Sequence, residues 1–287
     1  MTLAFLNGAF VPLEEARIPV LDRGFLFGDG VYEVIPVYGR HLFRLSQHLK
    51  RLHNNLLAIH IPPPMTADDW GRMLTELVAQ SPGDDQSVYL QVTRGVAPRR
   101  DHAFGNDLRP TVFAMSTPLE SADPRIVEQG ITAVTLSDIR WQHCHIKAIT
   151  LLPNVLLRQQ AIESGASEAI LIRNGFATEG AASNLFVVSH GLLLTPPRGP
   201  LLLPGITRDL VLELAVANAL PFREVDVPAD QLQRAEEIWL TSSTREILPV
   251  TTLDDAPVGT GRPGPLFHRM RELYLAYKNR VRAGEVA

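Results

Sequence analysis

The sequence predicts an α+β protein with two domains. Its 287 residues are about twice the length of a common single domain, and 45% of them are hydrophobic, which excludes a disordered chain. Short apolar stretches joined by tight-turn signals alternate with amphipathic segments of helical period. Strands paired by tight turns favour an α+β arrangement over a doubly wound parallel sheet.

The first half of the chain predicts a helix with two distinct faces. Leucine and isoleucine recur at spacings of three and four over residues 45–59, the period of an amphipathic helix. A different face carries His48, Arg51 and Asn55. The other elements predicted here are a hairpin around Asn7-Gly8, a helix from a capping box at Thr66 to about Gln80, and a strand over 87–93.

A stretch rich in Ser, Thr, Pro and Asp predicts the domain boundary. We expect a smaller N-terminal domain over 1–116, a linker over 117–123 and a larger C-terminal domain over 124–287 that carries Lys147. The elements predicted in the second half are strands at 132–136, 168–172, 185–188 and 238–240, a hairpin at Asn174-Gly175, and helices at 154–164, 207–219 and 266–282.

Charge and cysteine content limit the function classes. A net charge of −4 gives no basic field that would attract nucleic acid or anionic lipid. The N-terminus lacks a signal-peptide pattern, and no apolar stretch approaches the ~20 residues that span a bilayer. The single cysteine, Cys144, fits a reducing compartment. We expect a soluble cytoplasmic protein.

Two short motifs match a dinucleotide-binding pattern and a set of zinc-ligand residue types, but neither is complete enough to predict such a site. Residues 259–264 match G-x-G-x-x-G, but Pro263 interrupts them, Asp254-Asp255-Ala256-Pro257 precedes them and few residues follow, unlike a dinucleotide site between a strand and a helix, so we interpret them as a turn. His143-Cys144-His145 contains zinc-ligand types without a second cluster to complete the set. We expect a polar, partly buried strand there and no metal.

A constellation of residues favours a pyridoxal 5′-phosphate (PLP) site. Lys147 lies among apolar residues, and periodicity leaves open whether it is a solvated charge or a desolvated amine that can bond an aldehyde. Glu179, 32 positions later, could pair with the cofactor's ring nitrogen. The helix start at 204–208 offers backbone N–H groups for a phosphate, with hydroxyls at 241–244 and Arg51 as further donors.

Taken in order, these motifs resemble the fold-type IV PLP enzymes over nearly the whole chain, and within them the D-amino acid aminotransferases. The segments that carry the resemblance are 22–34, 48–52, Arg94-Gly95, Ile146-Lys147, 151–155, Thr178-Glu179-Gly180, 205–208 and 241–244. The resemblance implies a homodimer of two-domain α+β subunits with the cofactor at the domain interface, and a partner loop that helps to cover the site.

The resemblance also implies a role for each residue. Lys147 would bond the cofactor aldehyde and move a proton between the substrate Cα and cofactor C4′, and Glu179 would pair with the pyridine nitrogen. The residues implied to bind the rest of the cofactor are Arg51, Ile206, Thr207 and Ser243 at the phosphate and Leu203 at the ring.

The assignment to the D-amino acid subfamily depends on residues that the resemblance implies bind the substrate. Val31-Tyr32-Glu33-Val34 resembles the D-amino acid enzymes, and Tyr32, Arg100 and His102 resemble their carboxylate trap. Arg99 keeps the spacing from Arg94-Gly95, whereas Arg100 keeps the spacing to His102; we choose Arg100, because both side chains must reach one carboxylate.

The implied reaction transfers the amino group of D-alanine to 2-oxoglutarate and yields pyruvate and D-glutamate. An aminodeoxychorismate lyase and a branched-chain or R-amine aminotransferase are the alternatives on the same fold. Ala181 and Ala182 stand where family members often have hydroxyls. That difference bears on cofactor hydrogen bonding and leaves the type of reaction unchanged.

Overall fold

The chain folds into two units. The computed structural model describes residues 2–105, 107–120 and 123–286. One unit comprises Met1–Glu120, Ile146–Thr150 and Lys278–Ala287, and the other comprises Ser121–His145 and Leu151–Tyr277. Lys147 therefore groups with the first unit. The boundaries predicted at 116 and 124 stay a prediction, and Ser121 and Ala122 of the predicted linker lie outside the described residues.

The first unit contains an antiparallel sheet of six described strands. Its elements are β1 Leu3–Leu6, β2 Ala9–Pro12, a 3-10 helix Leu13–Glu15, α1 Arg23–Phe27, β3 Gly30–Tyr38, β4 His41–Leu42, α2 Leu45–Ala58, α3 Ala67–Gln80, β5 Gln86–Thr93 and β6 Thr111–Pro118. The strand order is β2-β1-β6-β5-β3-β4, with every neighbouring pair antiparallel.

One face of this sheet packs against α2 and α3. Alternate strand residues such as Ile35, Val88 and Leu90 are fully buried with Leu52 and Leu74 of the two helices, as strand and helix periods require. The helices predicted over 45–59 and 66–80 are confirmed, and so is the capping box at Thr66. Strand β3 was not predicted.

The second unit is built on a mixed sheet. Its elements are α4 Pro124–Gln129, β7 Ile131–Ser137, α5 Leu152–Glu163, β8 Glu168–Arg173, β9 Phe176–Gly180, β10 Asn184–Ser189, β11 Leu192–Thr195, α6 Ile206–Ala217, β12 Phe222–Glu224, β13 Val227–Pro228, α7 Ala229–Leu232, β14 Glu237–Ser242, β15 Glu246–Leu253, β16 Ala256–Pro257 and α8 Pro265–Arg282, whose last residues belong to the first unit.

In this second sheet the described strands run in the order β12-β11-β10-β14-β15-β7-β8-β9-β13, and β16 pairs with β15. Strand β7 is parallel to both of its neighbours, β15 and β8. The hairpin predicted at Asn174-Gly175 joins β8 to β9 with positive φ at both turn residues, 52° and 83°. An asparagine followed by a glycine suits those angles, and the prediction is confirmed.

The strand expected around His143-Cys144-His145 is wrong. These residues form a turn, in which the Cys144 thiol donates to the Trp141 carbonyl, 3.1 Å away, and the His145 amide donates to the Pro200 carbonyl at 3.3 Å. The short-range bond of Cys144 closes the turn and replaces a strand ladder. Residues 259–262 are turn and bend and residues 263–264 are irregular, in agreement with the expected turn.

Candidate active site

The backbone of Lys147 is held by strand β3. The Tyr32 amide donates to the Lys147 carbonyl at 3.0 Å, and the Ile149 amide donates to the Gly30 carbonyl at 3.1 Å. Between them, Val31 and Ala148 form an antiparallel bridge. A β-carbon at Gly30 would lie 2.6 Å from the Val92 carbonyl oxygen, so the strand start needs glycine. Lys147 is thus fixed by the first unit's own sheet.

The Lys147 amine lies over an aromatic ring. Its Nζ is 4.2 Å from the centroid of the half-buried Tyr32 ring, a distance at which a cation is attracted to the π face. The Tyr32 ring in turn lies 5.7 Å from the ring of Tyr89. The Tyr89 hydroxyl donates to Gln91 Oε1 at 2.6 Å, and burial raises the pKa of Tyr89 to about 12. Tyr89 therefore stays neutral beside the Tyr32 ring.

Arg51 is buried in an ion cluster, which differs from the usual solvent exposure of a polar helix face. Its Nε and Nη2 donate to the two carboxylate oxygens of Glu33 at 2.8 and 2.7 Å, and His48 Nδ1 lies 2.8 Å from Glu33 Oε2. Spacing of three on α2 places His48 and Arg51 side by side. Glu33 alternates with apolar residues on the helix-facing side of β3.

The pKa values of this cluster follow from its geometry. Burial acts to raise the pKa of Glu33, but the charge and hydrogen bonds of Arg51, with His48, hold it at about 2. Burial lowers the pKa of His48 against the opposing pull of Glu33, so the imidazole is neutral. His48 Nε2 is buried without a partner in the part of the chain that the structure describes.

The structure groups two of the three predicted trap residues. The guanidinium carbon of Arg100 lies 5.0 Å from the centroid of the Phe27 ring, and the His102 ring lies 5.2 Å from the same ring. Arg23 Nη2 donates to the His102 carbonyl at 3.0 Å and fixes this loop. Tyr32 instead contacts Lys147 and Tyr89, as described above.

Arg99 and Arg100 differ in their surroundings. Arg99 Nη2 lies 3.4 Å from Asp101 Oδ2, and 82% of the Arg99 side chain is exposed. An exposed ion pair of this kind contributes little to the stability of the fold. Arg100, also exposed, shares the Phe27 ring with His102, and the choice of Arg100 over Arg99 stays a prediction.

In the second unit, Glu179 is buried among donors. Asn184 Nδ2 and the Leu203 amide donate to Glu179 Oε2 at 2.9 and 3.0 Å, and Arg140 Nη1 donates to Glu179 Oε1. Asn184 Nδ2 also donates to the Leu203 carbonyl at 2.8 Å, which brings the predicted residues Glu179 and Leu203 together. Burial raises the pKa of Glu179 to about 7 even though Arg140 acts to lower it.

The N-terminus of α6 is a candidate phosphate-binding turn. Gly205 is its N-cap, without a capping side chain, and Ile206 and Thr207 are buried at the first turn. A β-carbon at Gly205 would lie 1.9 Å from Asn184 Oδ1, so only glycine allows this close approach. Backbone N–H groups in this position, together with the helix dipole, favour a phosphate.

Hydroxyl groups lie beside this turn in the sheet. Thr241 pairs with Asn184 across β14 and β10, and its Oγ1 is buried without a partner among the described residues. Ser243, predicted to bind the phosphate, follows the end of β14 in a half-buried turn. The unpaired hydroxyl marks Thr241 as a further candidate, which the hydroxyl-rich segment 241–244 included without singling it out.

Arg140 was missed by the sequence reasoning. It lies 39 positions from Glu179 in the sequence and follows β7 in a turn, where an arginine is usually solvated. A buried carboxylate generally needs a positively charged partner, but no sequence pattern indicates which arginine fills that role.

Among the described residues, no group of three or more His, Cys, Asp or Glu side chains could hold a metal, and no described helix is long and apolar enough to cross a membrane.

Comparison with known proteins assigns the family. The model of the amino-transferase class IV family matches residues 30–253. A D-alanine aminotransferase of Bacillus licheniformis is 42% identical over 260 residues, 91% of this chain and 91% of the relative.

Solved structures of related enzymes share the fold. The branched-chain amino acid aminotransferase of Escherichia coli has a TM-score of 0.90 at 27% identity and covers 96% of this chain and 93% of its own. The T.th. branched-chain amino acid aminotransferase with pyridoxamine 5′-phosphate has a TM-score of 0.88 at 27% identity, over 99% and 95% of the two chains. The α+β, fold-type IV prediction is confirmed. The chain belongs to the class IV aminotransferases and is a transaminase.

Proposed function

We propose that this protein is a PLP-dependent D-amino acid aminotransferase that converts D-alanine and 2-oxoglutarate into pyruvate and D-glutamate. The observation that carries the proposal is the 42% identity to a D-alanine aminotransferase over 91% of both chains. The geometry of Lys147 and Glu179 supports the same chemistry, because one is a half-buried amine and the other a buried carboxylate.

The residues present fit PLP. The buried, unpaired hydroxyl of Thr241 and the uncapped start of α6 suit a phosphate, and the carboxylate of Glu179 suits a ring N–H. When bound, PLP supplies an electron sink that stabilises negative charge at the substrate Cα.

We assign the following roles to residues of the site. Lys147 would bond the cofactor aldehyde and, once released by the substrate, act as the positioned base that moves a proton between Cα and C4′. Glu179 would keep the ring nitrogen protonated. The residues proposed to bind the cofactor phosphate and ring are Arg51, Ile206, Thr207, Ser243 and Leu203.

Glu33 prepares Arg51 for its proposed role. The carboxylate binds Nε and Nη2 of the guanidinium, which fixes its plane and offsets its charge. A planar donor that is already oriented loses less freedom when it binds a phosphate.

Tyr32, Arg100 and His102 are proposed to bind the substrate carboxylate through charge-assisted hydrogen bonds. Within one chain Tyr32 lies against Lys147, whereas Arg100 and His102 meet at Phe27. From the resemblance to the family we propose a homodimer in which a partner loop helps to cover the site. The single cysteine, buried Cys144, is consistent with the cytoplasmic location that we propose.

Product analysis tests the function. The enzyme loaded with PLP is incubated with D-alanine and 2-oxoglutarate, and the chirality of the glutamate formed is determined. We expect D-glutamate and pyruvate in equal amounts. Formation of L-glutamate from L-leucine at a higher kcat/KM would instead support branched-chain transamination, which the fold shared with branched-chain enzymes favours. Release of pyruvate from aminodeoxychorismate would support the lyase.

A further inference from the structure

Arg140 is placed by a turn that two side chains hold. It follows β7, and its amide donates to Asp138 Oδ1 at 3.1 Å. Its Nε and Nη2 donate to the two oxygens of Asp138, both at 2.9 Å, while Nη1 is left to donate to Glu179. Arg173 Nη2 donates to the Arg140 carbonyl at 2.7 Å. The guanidinium has one orientation, with one edge on each carboxylate.

The cluster is balanced in charge. Two arginines, Arg140 and Arg173, face two carboxylates, Asp138 and Glu179, and Asp138 has no exposed side-chain surface. Burial opposes the ionisation of Asp138, yet its arginine partners hold the pKa of that carboxyl below its usual range. Carboxylates likewise raise the pKa of Arg140 against the opposing effect of burial. Asp138 thus anchors Arg140, which remains charged.

We propose that Arg140 is a positioning residue that favours the ionised form of Glu179 and orients its carboxylate, so that Glu179 can hold the ring nitrogen of PLP in its protonated form. This inference rests on the proposed function. It adds a residue that the sequence motifs do not contain and that acts on the cofactor only through Glu179.

The other partners of Glu179 cannot replace Arg140. Asn184 Nδ2 and the Leu203 amide are neutral donors, and neutral hydrogen bonds favour a buried carboxylate less than a charged donor does. Of the charged groups that act on Glu179, Arg140 lowers its pKa and Asp138 raises it, and the Cys144 thiol also interacts with this carboxylate. The pKa of Glu179 is about 7 with Arg140 present. Loss of Arg140 removes the charged partner that lowers this pKa, so a larger share of the carboxyl is protonated at neutral pH and the pyridinium is stabilised less.

The test reads the protonation of the ring nitrogen directly. Wild-type protein, Arg140→Met and Arg140→Lys are loaded with PLP labelled with 15N in the ring, and the 15N resonance is recorded against pH. Arg158→Met is the matched control, because Arg158 approaches another buried carboxylate of the same unit, Glu168.

We expect a pyridinium resonance at neutral pH in the wild type, in Arg140→Lys and in the control, and a neutral-pyridine resonance in Arg140→Met. Turnover of Arg140→Met should fall by about 10–100-fold, the range seen when a partner that orients a metal ligand is removed. A pyridinium resonance in Arg140→Met with the wild-type pH profile would overturn the inference.

A double variant keeps the test valid if Arg140→Met does not fold. Arg140→Met with Glu179→Gln leaves no unpaired charge between the two positions and should fold more readily than the single variant. If Arg140 acts through Glu179, adding Arg140→Met to Glu179→Gln changes neither the 15N resonance nor turnover further. An additional loss of turnover would overturn the inference. Absence of a covalent PLP–Lys147 link in the wild type would refute the proposed function, and the inference with it.

Discussion

The ion cluster of Glu33, Arg51 and His48 gives a quantitative prediction. In Glu33→Gln the guanidinium of Arg51 loses its buried counter-charge. Removing one member of a buried pair costs about 3–5 kcal/mol. A fall in the pKa of Glu33 from the 4.5 of a free glutamate to about 2 corresponds to about 3 kcal/mol of stability above pH 5. The two estimates agree, and we expect Glu33→Gln to destabilise the first unit by about 3 kcal/mol.

The sign of the pH dependence follows from the direction of the pKa change. Glu33 has a lowered pKa in the folded state, so the unfolded state binds more protons between about pH 4.5 and pH 2. The stabilisation is complete above that range and is lost as the pH falls through it. The difference in unfolding free energy between wild type and Glu33→Gln should therefore shrink by about 1–2 kcal/mol between about pH 6 and about pH 3. The pKa of His48 is lowered in the folded state, so protonation of this residue in acid also lowers the unfolding free energy of both the wild type and the variant.

Urea unfolding at several pH values tests this reasoning, with pulsed hydrogen exchange and mass spectrometry of peptides that cover β3 and α2. Glu76→Gln, an exposed change on α3, is the matched control and should have an effect within about 0.5 kcal/mol. A free-energy difference between wild type and Glu33→Gln that stays constant down to about pH 3 would refute the assignment of the stabilisation to the ionised carboxylate.

The remaining predictions concern the cofactor and the substrate. Lys147→Ala should abolish borohydride-dependent labelling by PLP and turnover; retention of both would contradict its role. Arg100→Met should lower kcat/KM for D-alanine by about 10–100-fold, the value of a lost charged hydrogen bond, whereas Arg99→Met should change it little; the reverse order would contradict the choice of Arg100. Thr241→Val should weaken PLP binding about fivefold, measured by fluorescence titration, without lowering the melting temperature, because its hydroxyl has no partner among the described residues; unchanged affinity would exclude Thr241 from the phosphate site.

The sequence predicted most helices of the fold because their apolar residues follow the helical period. Strand β3 was missed for a physical reason. Glu33 occupies a core-facing position between Val31 and Ile35, so the alternation of apolar and polar residues that signals a half-buried strand is broken. That charge is tolerated only because Arg51 and His48 on α2 meet it, and no local pattern shows such a pairing.

The proposed site was predictable to different degrees. Lys147, Glu179 and the start of α6 were found through the order of several motifs, each of which is weak alone. Arg140 was not found, because its contact with Glu179 depends on a turn closed by Asp138 and Arg173. Such contacts between distant positions need three-dimensional structure to be seen.

The attachment of Lys147 to β3 has a consequence for how this enzyme can be altered. Three consecutive residues, 147–149, are bound to the strand start through the Lys147 carbonyl, the bridge of Ala148 and the Ile149 amide. Side-chain replacements in the flanking loops leave those backbone bonds in place, so directed evolution can diversify 141–145 and 150–151 broadly. The nucleophile should keep its place opposite Tyr32 while the surrounding surface changes.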